Sequence, residues 1–142
     1  MIIRLQREDF DPERAVQAID VKGSGARVNF VGMVRDTAAG APITALEIEH
    51  YPEMTQAELA RIATHAQDQH HLHEVVIIHR YGYIERGERI MMVAVWSAHR
   101  AEAFMGCQAI VDALKTRAPF WKKEISPQGS AWVAGAMPHD LG

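Results

Sequence analysis

Apolar side chains recur along this chain with two periods, one of two residues and one between three and four, which predicts interleaved strands and helices. Residues 2–5 read as a short strand. Asp11 followed by Pro12 is an N-cap with proline at the first helical position, so a helix is predicted to about Ile19. Lys22-Gly23-Ser24-Gly25 is a turn. Residues 26–35 then alternate as a strand, with Val28 and Phe30 on one face and Arg27 and Asn29 on the other. The small residues of 37–42 predict a flexible loop, and 44–50 alternate again, Leu46 and Ile48 against Glu47 and Glu49.

Thr55-Gln56-Ala57-Glu58 matches a capping box, and Leu59, Ile62, Ala63 and Ala66 behind it continue a helix to about Gln69. Residues 75–78 and 90–96 read as buried strands joined through Gly82 to Gly87 as a hairpin. Phe104, Cys107, Val111 and Leu114 mark the inner face of a helix from about His99 to Thr116, which Pro119 ends. Short strands near 121–125 and 131–133 close the chain. The resulting class is α+β, with about three helices and mainly antiparallel sheets.

Composition narrows this picture. A chain of 142 residues fits one domain, 1–142, and can bury roughly 68–70% of its unfolded surface. A formal charge of −3 argues against nucleic acid as a partner, so any anion site is local. The single cysteine, Cys107, forms no intramolecular disulfide and suits a reducing compartment. Charge appears within the first nine residues, too early for a signal-peptide core, and the apolar run 90–96 is too short for a membrane helix. A cytoplasmic protein without membrane contact is expected.

The most informative stretch is Lys115-Thr116-Arg117-Ala118-Pro119-Phe120-Trp121-Lys122-Lys123-Glu124, with four cations in nine positions from Lys115 to Lys123. Repulsion among such cations lowers lysine pKa values and frees an amine for base or nucleophilic work. A solvated helix end, its cations complementing the helix dipole, is the plainer alternative. In Ser97-Ala98-His99-Arg100 a strand hands over to a helix start, where amides and cations can hold a phosphate. A capped, solvated loop fits it equally. Arg35 adds a cation beside the mobile loop. Cys107 could carry a persulfide, although its helical phase predicts packing. His65, His70, His71 and His73 lack the i, i+4 spacing of a helical zinc pair, and Ser97 with His99 has no evident orienting acid.

Read together, five segments resemble the large-subunit family of molybdopterin synthase. They are Gly25-Ala26-Arg27-Val28-Asn29-Phe30-Val31-Gly32-Met33-Val34-Arg35-Asp36, Leu46-Glu47-Ile48-Glu49-His50-Tyr51-Pro52-Glu53-Met54, Val76-Ile77-Ile78-His79-Arg80-Tyr81-Gly82, Ser97-Ala98-His99-Arg100, and the run from Lys115 to Glu124. They stand in the family's order over most of residues 25–132, and the last is the most specific. The resemblance implies a hammerhead-like α+β domain with an added antiparallel sheet. It also implies a small ubiquitin-like partner whose C-terminal thiocarboxylate supplies two sulfurs to cyclic pyranopterin monophosphate, forming the molybdopterin dithiolene. No metal and no cofactor take part, and the chain is expected as a homodimer within a heterotetramer.

Substrate contacts carried over from the family fall on Met33, Val34, Arg35, His99, Arg100, Lys115, Lys122, Lys123 and Glu124, with Lys115 and Lys122 as the catalytic lysines. Met33 departs from the basic residue of some members, and residues 134–142 lack the charged tail of longer ones. His99-Arg100 and Lys115 sit at opposite ends of one predicted helix, roughly 22 Å apart along its axis. Either a break at Gly106 folds that helix back, or a two-fold dimer completes the site from two chains. The rival readings are a persulfide sulfurtransferase using Cys107, an anion- or peptide-tail-binding module without turnover, and nucleic-acid binding through Lys115 to Lys123.

Overall fold

The computed structural model describes residues 1–133; the tail singled out in the sequence, 134–142, lies outside the described residues. In chain order the elements are β1 (Ile2–Gln6), α1 (Pro12–Gln17), β2 (Ala26–Met33), β3 (Thr37–Ala38), β4 (Ala41–Pro42), β5 (Ala45–His50), α2 (Pro52–His70), β6 (Glu74–Arg80), β7 (Gly82–Glu85), β8 (Arg89–Ser97), α3 (Arg100–Thr116), β9 (Phe120–Ser126) and β10 (Gly129–Trp132). The class is α+β, with three helices among the described residues, as the periodicities predicted. One sheet has the order β1-β6-β8-β2 and a second β10-β9-β5-β7. All pairings are antiparallel except β1 with β6.

Both faces of the first sheet are covered, which is why β6 and β8 read as continuous apolar runs rather than alternating ones. Val75, Ile77, Val93 and Val95 pack toward α2 and α3 in the larger core. Val76, Ile78, Met92, Ala94 and Trp96 meet Val16 of α1 on the other side. Strand β2 lies at the edge of this sheet, one neighbour short.

Four expectations need correction. The capping box does not start α2: Pro52 occupies the first helical turn and Tyr51 is the N-cap, three residues or more before Thr55. Proline's fixed φ suits that position, and Thr55 is left buried inside the helix, its hydroxyl donating to the Tyr51 carbonyl at 2.7 Å. The loop at 37–42 is a two-residue hairpin, with Ala39 and Gly40 both at positive φ as such a turn requires. Strands β6 and β8 do pair, yet the segment between them is not a simple turn: β7 crosses to the second sheet and pairs with β5. Phe104 is not inward; it is 62% exposed, and Ala103, Gly106, Cys107, Ile110, Val111 and Leu114 form the buried face of α3.

Helix α3 is also unbroken. Gly106 stands in its interior against Leu72, whose Cδ2 lies 2.7 Å from where a Cβ would sit, so glycine serves close packing of α3 on the end of α2. The fold-back alternative is therefore excluded, and Arg100 and Lys115 remain at opposite ends of the helix.

Candidate functional site

A cleft of about 710 Å³ opens where the two sheets and the C-terminal end of α3 meet. Three separate parts of the sequence bring cations to it: Arg35 after β2, Lys115 in the last turn of α3, and Lys122 on β9. Apolar walls come from Phe30, Leu46, Ile90, Val111, Leu114 and Phe120.

Local rules explain each placement. The ladder between β2 and β8 shifts register between Gly32 and Met33, a bulge that bends the strand out of the sheet. Val34 still bonds the far turn, donating to Glu88 O and accepting from Gly87 N, so its side chain is buried while Met33 and Arg35 stay exposed. On β9 the period of two sets Phe120, Lys122 and Glu124 on the cleft side, opposite His50, Ile48 and Leu46 of β5.

The same period turns Lys123 away. Its Nζ lies 3.8 Å from Glu47 Oε2 and 5.4 Å from the Trp132 ring centre, on the outer face of the second sheet. Trp121 also points to that side, where its indole N–H donates to Glu49 at 3.0 Å. Of the nine expected contact residues, Met33, Val34, Arg35, Lys115, Lys122 and Glu124 line the cleft. Lys123 does not, and neither do His99 and Arg100, which are exposed at the far end of α3.

Cations facing one another in a half-buried space change their acidity. The Lys122 amine is pushed below the usual lysine range, first by burial and then by the neighbouring Lys115 charge. Repulsion between clustered cations thus contributes at Lys122, but second to burial.

At the other end of α3, His99 is the N-cap but makes no side-chain cap bond. Ser97, fully buried, has its hydroxyl 2.9 Å from Glu102 and 3.1 Å from the His71 carbonyl, so the strand end preceding His99 is pinned. Gly25 packs against the Ala98 carbonyl with no room for a Cβ. His99 and Arg100 therefore project from a stiff corner and not from a mobile loop.

The competing centres fare poorly. Cys107 is 4% exposed, and burial pushes its thiol up to about 11, so little thiolate exists near neutral pH. Cys107→Ser should leave the chemistry of the cleft largely intact; a loss of more than about tenfold in sulfur transfer, with the fold intact by circular dichroism, would revive a persulfide route. Among the described residues no group of three or more His, Cys, Asp or Glu side chains could hold a metal ion. No described helix is long and apolar enough to cross a membrane.

One cleft residue escaped the sequence reading. His79, directly after the apolar run of β6, is 3% exposed and stacks on Phe120 at 3.9 Å with the rings 17° apart. The signal was available: a buried ionisable side chain directly after the apolar run Val75 to Ile78 needs a reason to be there.

Comparison with known proteins shows the family. The family model described as MoaE protein matches residues 5–117. A molybdopterin synthase catalytic subunit of Pseudomonas aeruginosa is 45% identical over 137 residues, covering 95% of this chain and 91% of that protein. Among solved structures, a molybdopterin biosynthesis MoaE protein from Burkholderia ambifaria is 40% identical with a TM-score of 0.79, covering 99% of this chain and 93% of its own. Molybdopterin synthase from Staphylococcus aureus is 29% identical with a TM-score of 0.86, covering 92% and 96%.

Proposed function

This chain belongs to the MoaE family of molybdopterin synthase catalytic subunits, and we propose that its cationic cleft is where sulfur passes from a partner's thiocarboxylate to cyclic pyranopterin monophosphate. The observation that carries the reading is the convergence of Arg35, Lys115 and Lys122, from three distant parts of the sequence, on one cleft with room for a pterin.

The chemistry needs anion binding, tail capture and proton transfer. Arg35 offers a fork of donors for a phosphate. The C-terminal tail of a small ubiquitin-like subunit is drawn toward the same positive field, its thiocarboxylate meeting Lys115 and Lys122. Oxygen must leave the pterin as sulfur enters, and each exchange moves protons. The lowered pKa at Lys122 favours a neutral amine able to accept one, while the neighbouring ammonium stabilises developing negative charge. Glu124 completes the polar wall, and Met33 and Val34 contribute shape and backbone. Lys123, paired with Glu47, serves the outer face of the sheet and is not retained as a pterin contact.

The site is completed by a second copy of the chain. Arg100, Phe104, Gln108, Val111 and Lys115 fall on one stripe of α3, at spacings of four, four, three and four residues. Phe104 and Met105 on this helix, and Phe30 and Met33 on the adjoining edge strand β2, are 62%, 60%, 39% and 54% exposed. Such a run of uncovered apolar side chains beside an unpaired strand edge suits a two-fold interface. Two small subunits added to that dimer make a heterotetramer. The reduced, buried Cys107 and the redox-sensitive thiocarboxylate both suit the cytoplasm, where we place the reaction.

The test is reconstitution. Purified protein, a thiocarboxylated small subunit and the cyclic pterin should together give dithiolene product, and omission of any one should give none. Binding of the small subunit should weaken as salt rises and collapse when its last two glycines are removed. Unchanged affinity for the shortened partner, with product still formed, would refute tail capture by the cleft.

A further inference from the structure

We infer that His79 is a substrate-contacting residue, whose Nε2 accepts a hydrogen bond from a ring N–H or amino group of the pterin. The inference rests on the synthase reading above and adds to it the group that recognises the heterocycle. Three observations lead to it. The His79 ring is held rigidly, stacked on Phe120 and with Nδ1 2.8 Å from the Arg80 carbonyl. A carbonyl can only accept, so Nδ1 carries the hydrogen and a neutral ring presents Nε2 as a bare acceptor. Burial, partly opposed by the Arg80 bond, lowers the imidazole pKa to about 3, with the Lys122 and His50 charges acting in the same direction as burial, so the ring is neutral at working pH.

The third observation is where Nε2 points. Among the described residues no fully buried side-chain nitrogen or oxygen lacks a partner, and Nε2 makes no hydrogen bond to any of them. Nε2 is thus not sealed inside the core, and the space that His79 lines is the cleft. Arg35 and Lys115 donate or carry charge and Glu124 is a charged acceptor on the wall, whereas a pterin also presents neutral N–H donors of its own. A neutral acceptor in the low-dielectric floor suits a neutral N–H, and leaving it unmatched would select against ligands lacking that donor.

Two substitutions separate this role from a structural one. His79→Asn can keep a donor on the Arg80 carbonyl but withdraws the deep acceptor; His79→Gln carries an acceptor to the level of Nε2. By calorimetry with cyclic pyranopterin monophosphate, His79→Asn should bind about 10–100-fold more weakly and His79→Gln within a few-fold of wild type. Small-subunit affinity should not change in either. In wild-type protein labelled with ¹⁵N-histidine, the His79 Nε2 resonance should be that of an unprotonated nitrogen and should move on adding the pterin, a readout independent of whether either variant folds. Unchanged affinity in a folded His79→Asn, or a resonance that stays put while the wild type binds pterin, overturns the assignment alone. Wild-type protein that binds no pterin overturns the synthase reading and this assignment with it.

Discussion

Replacing Lys115 by alanine should lower dithiolene formation by about 10²–10⁴-fold while leaving the fold intact, the usual worth of a group that moves protons or stabilises charge in the transition state. Lys115 is exposed at the last turn of α3, and its packing obligations are slight. Its favourable interaction with the helix dipole is worth only about 0.3–1 kcal/mol, so the melting temperature should barely change. Two losses coincide in the mutant. The cleft loses one amine, and Lys122 loses the charge that helps depress its pKa, which leaves burial to do so alone. Lys115→Arg divides these roles, because guanidinium keeps the charge and cannot give up its proton. Recovery in Lys115→Arg would assign Lys115 to charge stabilisation; continued inactivity would assign it to proton transfer or covalent attachment. Single-turnover product formation by a folded Lys115→Ala within a few-fold of wild type would remove Lys115 from the reaction.

The helices and strands of this chain are legible because most of them obey a local rule. Asp11 before Pro12 caps α1 and accepts from the amides of Glu13 and Arg14. What escapes is decided by distant partners. Nothing within Gly82 to Glu85 says that β7 leaves the first sheet to pair with β5, since the pairing depends on residues nearly forty positions earlier. The Thr55 box was a sound local signal, overridden by a proline at the first helical turn. Phe104 is apolar and shares helical spacing with the buried Cys107 and Val111, yet it lies at the margin of that face and is left exposed.

The site divides in the same way. Arg35, Lys115 and Lys122 could be nominated as cations near turns, but their convergence requires a bulge in β2, the end of α3 and the register of β9 against β5. Lys123 shows the limit of a motif: adjacent to Lys122 in sequence, it faces the other side of the strand. The chain's overall −3 concealed this locally positive cleft.

Activity should reappear when two inactive proteins, Arg100→Ala and Lys115→Ala, are mixed and allowed to exchange subunits. Helix α3 runs without interruption from Arg100 to Thr116, so fifteen residues at about 1.5 Å each hold the two side chains roughly 22 Å apart along its axis. One pterin cannot contact both within a single chain unless long side chains are stretched at considerable entropic cost. A two-fold axis near Gln108, midway along the stripe, would exchange the ends of the helix and set His99 and Arg100 of each chain toward Lys115 of the other. In such a dimer each cleft takes its anion clamp from one copy and its amines from its neighbour. The mixed dimer then has one site lacking both groups and one that is complete. Random exchange makes about half the dimers mixed, each with one working site, so activity should approach about a quarter of wild type. Replacing Phe104 by aspartate in both proteins should prevent the recovery by blocking association. Verified mixed dimers that remain inactive would place the whole site within one chain and overturn the shared-site assembly.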